Sequence, residues 1–408
     1  MANKMVTTQY PQVRSHYVFL VAFLVALSAF GSFVNDMYVP TLPEMARSFH
    51  CSTSMIQMGL TMGMIGLGAG QIIMGPISDR YGRKPILTIS LCVFVGGAFG
   101  AVYSHTVHEF LGWRLVQGFG ASGGYFLART VPADIYGGRE LAKLMALIGS
   151  INGFAPAAAP VLGGIVGDDI GWRGIFWILG AFAFLLIITG FFFKETLPES
   201  RREQGPLSAA FGEYMTLLKN KPFMVHAILK GTGLGLLFAY ISSAPFIFQT
   251  RYGFTQLQFG LFMGFNVFFV AAGSILALKF KVLKDAAWLA GIVLIITTLV
   301  EALVLFFVDD FWAYEIGLLP MLFCLGMIFT VGNTLAMNEG RDNAGAASAI
   351  VGVAGYIFGA IVAPLVGLGD IRFSTGIVFI VMGMLILASS YATKLIPADL
   401  NSAPKPAT

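Results

Sequence analysis

The sequence predicts an all-α membrane protein whose twelve transmembrane helices form two six-helix bundles. Three observations lead there. First, 57% of the 408 residues are hydrophobic and 11% are charged, well under the roughly 25% charge of a soluble domain, and mean hydropathy is +0.79. Second, twelve apolar stretches reach the ~20 residues that a spanning helix requires. Third, the cations gather on one side of those stretches, as the positive-inside rule asks.

In order, the spans are expected at 16–39, 52–75, 85–104, 108–133, 143–166, 172–193, 222–248, 255–278, 286–308, 312–336, 344–368 and 373–395. The first is longer than the about 7–15 apolar residues of a cleaved signal, and reads as a helix that stays. With these spans, 18 of the 25 lysines and arginines fall in the termini and even-numbered loops. Four (Arg47, Arg173, Arg251, Arg372) fall in the opposite loops, and three (Arg114, Arg129, Lys230) lie within spans. Both termini are therefore expected in the cytoplasm of a cell whose inner membrane holds the chain. The polar connection 194–221 is a cytoplasmic linker between an N-terminal bundle, 16–193, and a C-terminal bundle, 222–395. Residues 1–15 form a cytoplasmic lead. Residues 396–408, with Pro397, Pro404 and Pro406, are expected to be a disordered cytoplasmic tail.

Between spans two and three stands Gly75-Pro76-Ile77-Ser78-Asp79-Arg80-Tyr81-Gly82-Arg83-Lys84, a tight basic loop. Gly75 and Gly82 permit a sharp turn and close backbone approach. Asp79 is placed to accept from a helix N-terminus, where a carboxylate is favoured. Arg83 is expected to pair with Asp134, just past span four. Together with Arg80 these residues read as a cytoplasmic gate that latches the two halves and breaks when the protein opens inward.

Span four holds Arg114-Leu115-Val116-Gln117-Gly118. An arginine inside a span is expensive and usually functional. Asp36 in span one lies about 6 Å inward of Pro40, and Arg114 about 9 Å inside the same end. Dehydration and a nearby cation act on a carboxylate's protonation in opposite senses, so an Asp36 near Arg114 would exchange a proton as the cleft changes. Span five carries Gly149, Gly153, Pro156, Pro160, Gly163, Gly164 and Gly167 at a 4-3-4-3-1-3 spacing, which puts small and kinking residues on one helical face.

These strings resemble the major facilitator superfamily of transporters: the loop at Gly75–Lys84 is similar to its signature between the second and third helices. Arg114 to Gly118 resembles an R-x-x-Q-G motif of proton-coupled members, and Ala159 to Gly164 a G-P-x-x-G-G signature of antiporters, with Ala159 in place of Gly. Asp36-Met37-Tyr38-Val39-Pro40, Leu42-Pro43, Gln57, Gly70-Gln71, Arg129, Asp134, Gly171-Trp172-Arg173 and Glu195-Thr196-Leu197 narrow the likeness to the bicyclomycin/chloramphenicol resistance (Bcr/CflA) type of drug–proton antiporter. The likeness is specific over 35–198 and topological beyond. Ala133 stands where an arginine often precedes Asp134.

The resemblance implies export of small, mostly hydrophobic drugs in exchange for protons, by alternating access. Asp36 would be the coupling carboxylate and Arg114 its partner. Asn35, Tyr125, Tyr240, Asn266 and Tyr356 would touch substrate in the central cavity. Protons would be the coupling ion, no other cofactor is expected, and the working unit would be a monomer in the bilayer. The alternative is a proton-coupled exporter of a metabolite such as an amino acid, sugar or nucleoside.

Other classes find less support. The net charge of +4 is small for a nucleic-acid partner. The histidines (His16, His50, His105, His108, His226) form no H-E-x-x-H pair, and no G-x-x-x-x-G-K-[ST] loop for ATP is present. Cys51, Cys92 and Cys324 lack metal-ligand spacing. Hence neither a catalytic residue nor a metal ligand is assigned.

Overall fold

The computed structural model describes residues 14–204 and 207–397. Among these, all regular structure is helical: α1 (Arg14–Asp36), α2 (Leu42–Ser48), α3 (Thr53–Tyr81), α4 (Arg83–Val102), α5 (Val107–Ile135), α6 (Gly138–Phe192), α7 (Leu207–Lys219), α8 (Lys221–Pro245), α9 (Gln256–Ala277), α10 (Leu283–Phe307), α11 (Phe311–Glu339), α12 (Ala344–Leu365) and α13 (Ile371–Leu395). Short polar side chains start many of them. Ser52, Thr106, Asn220, Thr255, Asp310 and Asp370 each accept from a backbone N–H in the first turn that follows, satisfying donors that a helix leaves orphaned.

Ten helical segments among the described residues are long and apolar enough to cross a membrane. Two further facts bring the crossings to twelve. The α6 helix turns back at Gly171, whose φ of 66° breaks it into two spans. Only glycine adopts that backbone without strain, and Glu44 packs where a side chain would stand. The α5 helix is 29 residues long, like α3, and long enough to cross, although Arg114, Arg129 and a run of glycines make it less apolar than its neighbours. The spans expected from sequence are thus recovered, with one correction. The segment Gly75–Lys84 is not an open loop: α3 runs through Pro76 to Tyr81, α4 starts at Arg83, and Gly82 (φ 99°) is the only break.

Helices α1 to α6 pack on one another, as do α8 to α13, giving the two expected bundles. The linker is not merely polar: it contains α7, which lies on the C-terminal bundle through Leu217 in a cluster with Phe223, Ala227, Ala336 and Ala347. Most of the expected lead (1–13) and tail (398–408) lies outside the described residues.

Candidate functional site at the interface of the bundles

Two seams join the bundles, α3 against α12 and α6 against α9. Along the first, Ser54 Oγ donates to the Pro364 carbonyl and Thr61 Oγ1 to that of Ala360, both at 2.8 Å. Gln57 Nε2 reaches the Ser242 carbonyl on α8 at 2.8 Å. Contact persists as far as Gln71, which lies against Gly352. The second seam is shorter. Backbones touch at Gly164 against Gln256 and at Gly260 against Pro160, where any Cβ would strike a carbonyl oxygen. Gln256 Nε2 donates to Glu44 (3.2 Å) and Gln249 Nε2 to the Pro40 carbonyl (2.6 Å). Beyond Ala157 the seam parts. Gly153 and Gly149, on the same face of α6, meet no atom within 4 Å. The bundles are therefore closed at the end away from the termini and separated between α6 and α9 at the end that bears them.

The small-residue face of span five is thus real but divided. Pro160, Gly163, Gly164 and Gly167 are buried, Gly149 and Gly153 are exposed, and Pro156 lies between. Gly163 sits against the Met37 carbonyl of α1's far end, so this face holds both the N-terminal bundle and the seam.

Arg114 is fully buried. It does not reach out to the interface. Its Nε donates to the Gly59 carbonyl at 3.3 Å, its Nη2 to Tyr38 Oη at 3.3 Å, and its Nη1 to Gln117 Oε1. The guanidinium carbon lies 4.5 Å from the Tyr38 ring centre and 5.7 Å from that of Phe176. Gly63 leaves room for it. The direct pairing with Asp36 expected from sequence is not made: the ion pairs of the described residues include none between them. Both groups lie at similar depth, but Tyr38, two residues on, occupies the face that meets Arg114. Asp36 is half-buried at the last turn of α1, within electrostatic reach of Tyr38 and of Tyr356 on α12.

The expected Arg83–Asp134 pair is present. Arg83 Nε donates to Asp134 Oδ2 at 2.8 Å and Nη1 to Asp79 Oδ1 at 2.6 Å. A third donation goes to Ser78 Oγ at 2.7 Å. Asp79 therefore receives the guanidinium rather than a helix N-terminus. All four residues belong to the N-terminal bundle, so the cluster ties α3, α4 and α5 to one another and does not latch the halves. Arg80 stacks on Tyr81, 5.7 Å from its ring centre.

The residue that caps α4 is Glu195, to which sequence reasoning gave no role. It accepts from the backbone N–H of Arg83 (2.9 Å) and Lys84 (3.0 Å), and from those of Thr196 and Leu197. Its signal was there: an acid just past span six, beside a basic loop whose helix N-terminus lacks a side-chain cap.

Of the five residues expected to touch substrate, two neighbour each other across the bundles, one stands next to Asp36, and two lie inside the C-terminal bundle. Tyr125 on α5 and Tyr356 on α12 neighbour each other across the bundles, and Asn35 lies buried beside Asp36. Tyr240 and Asn266 are buried in the C-terminal bundle and bonded to each other at 2.8 Å. Behind them lie two buried acids: Glu301, neither of whose oxygens has a partner among the described residues, and Glu315, beside Asn266. Glu301 fills the space beside Gly317 on α11. The described residues offer no group of His, Cys, Asp or Glu able to hold a metal ion.

Comparison with known proteins follows this geometry. The profile of the Major Facilitator Superfamily matches residues 18–364. The chain belongs to the major facilitator superfamily. It is 33% identical over 364 residues to the uncharacterized MFS-type transporter YdgK of Bacillus subtilis, covering 86% of this chain and 89% of that one. It is 30% identical over 318 residues to the chloramphenicol resistance protein of Pseudomonas aeruginosa, covering 73% and 74%. A bicyclomycin resistance protein homolog of Haemophilus influenzae is 26% identical over 366 residues, covering 87% and 90%. These relatives place the chain with the Bcr/CflA type. Among solved structures, a bacterial homolog of the human lysosomal transporter Spinster superposes with a TM-score of 0.77 at 14% identity, covering 98% of this chain and all of that one. The xylose transporter XylE of E. coli superposes with 0.71 at 14% identity, covering 94% and 98%. At that identity they speak for the fold alone. The chain is a multi-pass membrane transporter of this superfamily, not an enzyme.

Proposed function

We propose that this transporter is a proton-coupled antiporter that exports small, mostly hydrophobic drugs across the inner membrane by alternating access, as a monomer with both termini in the cytoplasm. The observation that carries the reading is Asp36: a half-buried carboxylate at the head of the gap, free of any ion pair, near Tyr356 of the opposite bundle. A carboxylate so placed gains or loses its proton as water enters or leaves, and cargo that displaces water there competes with the proton. Arg114 acts at one remove: it fixes Tyr38, and with it the turn that follows Asp36.

The parted α6–α9 seam supports the alternating part. The sealed end is held by glycine contacts and a few hydrogen bonds, which are worth about 1 kcal/mol each, so the two ends can exchange roles without breaking a core. The drug-resistance relatives support the cargo class. The expected result for Asp36→Asn is an at least about tenfold loss of pH-gradient-driven chloramphenicol export from liposomes, equivalent to about 1.4 kcal/mol of coupling, with insertion intact. Export at the normal rate by that variant overturns the proposal.

A further inference from the structure

The gap holds two cations that the coupling scheme does not use. Arg129 lies on α5 and Lys230 on α8, one in each bundle, and Lys230 feels the charge of Arg129; beside Lys230, Gly231 packs on Ala354, two residues before Tyr356, which lies within electrostatic reach of Arg129. Neither has an acidic partner: Lys230 Nζ donates to Asn333 Oδ1 at 2.8 Å, and Arg129 Nη2 to Tyr125 Oη at 2.5 Å. An arginine near a helix end normally turns toward water. Arg129 does the reverse. Six residues from the last residue of α5, Ile135, it folds back onto Tyr125, one turn deeper in the span, with its guanidinium carbon 4.3 Å from that ring centre. Tyr356, Gln71 and Asp36 stand nearby. Two like charges at membrane depth, neither in an ion pair among the described residues, are expensive, and their repulsion favours the separated bundles. A negative group set between them would satisfy both and remove that repulsion.

We propose that the central gap takes small amphiphilic organic anions, with the anionic group seated between Arg129 and Lys230 and the apolar body against Tyr125 and Tyr356. Loading then draws α5 and α8 together at the open end. The inference deepens the export reading and rests on the gap being the transport path. It names a substrate class, and it adds Arg129 and Lys230 to the residues that select cargo.

The test uses 2-naphthoate and its neutral amide, 2-naphthamide, which differ only in charge and one donor group. Equilibrium binding of each is measured on the full chain in lipid nanodiscs. The expected result is an at least about tenfold preference for the acid (1.4 kcal/mol), erased in Lys230→Gln and in Arg129→Gln and retained in Lys230→Arg. Equal affinity for the two probes, no binding of the acid, or a preference that survives both glutamine variants overturns the proposal. Monodisperse elution and normal thermal melting of the two glutamine variants separate loss of the site from loss of the fold, and Lys230→Arg restores the charge alone. Since no gradient is imposed, the result does not depend on proton coupling: an anion preference without proton-driven export would sink the antiport reading and leave this one standing.

Discussion

The two bundles treat their buried polar groups differently. In the N-terminal bundle the two fully enclosed cations are answered: Arg114 by a carbonyl, an amide and two rings, Arg83 by two carboxylates and a hydroxyl. In the C-terminal bundle Glu301 and Glu315 are buried, and among the described residues neither is in an ion pair. A buried charge that loses its partner is strongly destabilising, so the first bundle is fastened by its charges. The second holds its shape by packing, and its two acids are spare. The recognisable strings cluster in the N-terminal bundle for the same reason, since mutual contacts between named polar residues need fixed spacings, whereas a packing surface needs only size.

That contrast is breakable. The largest effect is expected from Arg114→Ala, which empties a site under Tyr38 and Phe176 and orphans Gln117. A loss of about 2–4 kcal/mol, seen as a lower thermal midpoint in detergent together with lost export, is the expected outcome. Arg47→Ala, exposed on α2, serves as the control and should stay within about 0.5 kcal/mol. Next comes Glu195→Ala, which uncaps α4. It should cost about 1–2 kcal/mol, measured the same way, and faster hydrogen exchange at the first turn of α4 would sharpen the result.

Glu301→Gln and Glu315→Gln should change the midpoint by less than about 1 kcal/mol, because size is kept and no pair is lost. A collapse of either variant would show that the second bundle is fastened by charge as well. The smallest effect concerns Asp309, exposed between α10 and α11. Its hydrogen bond from Arg251 holds it below the ordinary carboxylate range, and the charges of Arg251 and Arg372 add to this. The stabilisation is complete above the unfolded carboxylate's pKa and fades as pH falls through the lowered folded one. Asp309→Asn should therefore flatten the acid limb of the midpoint-versus-pH curve slightly, and less so at high salt.

Much of this was legible in the sequence. The twelve crossings follow from apolar length, and the Arg83–Asp134 pair from a cation and an acid at the same ends of adjacent spans. The return at Gly171 follows from a glycine between apolar runs. What was not legible is azimuth. Depth along a helix puts Asp36 level with Arg114, but each residue turns the face by about 100°, and Tyr38 takes the place the sequence reading gave to Asp36. The same blindness set Tyr240 and Asn266 toward the gap when they bond to each other inside a bundle. The Arg83 cluster, expected to break as its end of the molecule opens, is intact with that end parted, because the loop that carries it is a single residue, Gly82, with no length to leave its own bundle.

The segment linking the bundles has a further consequence. Glu203 N–H is tied to the Asp79 carbonyl at 3.1 Å, and α7, from Leu207, is seated on the other bundle by Leu217. Four residue steps separate Glu203 from the first residue of α7, and an extended chain covers at most about 14 Å over that distance; helix carries the chain from there to Leu217. The strap is thus a short leash. It caps how far the open mouth can gape while both knots hold, and lengthening or shortening it resets that limit without touching a single span.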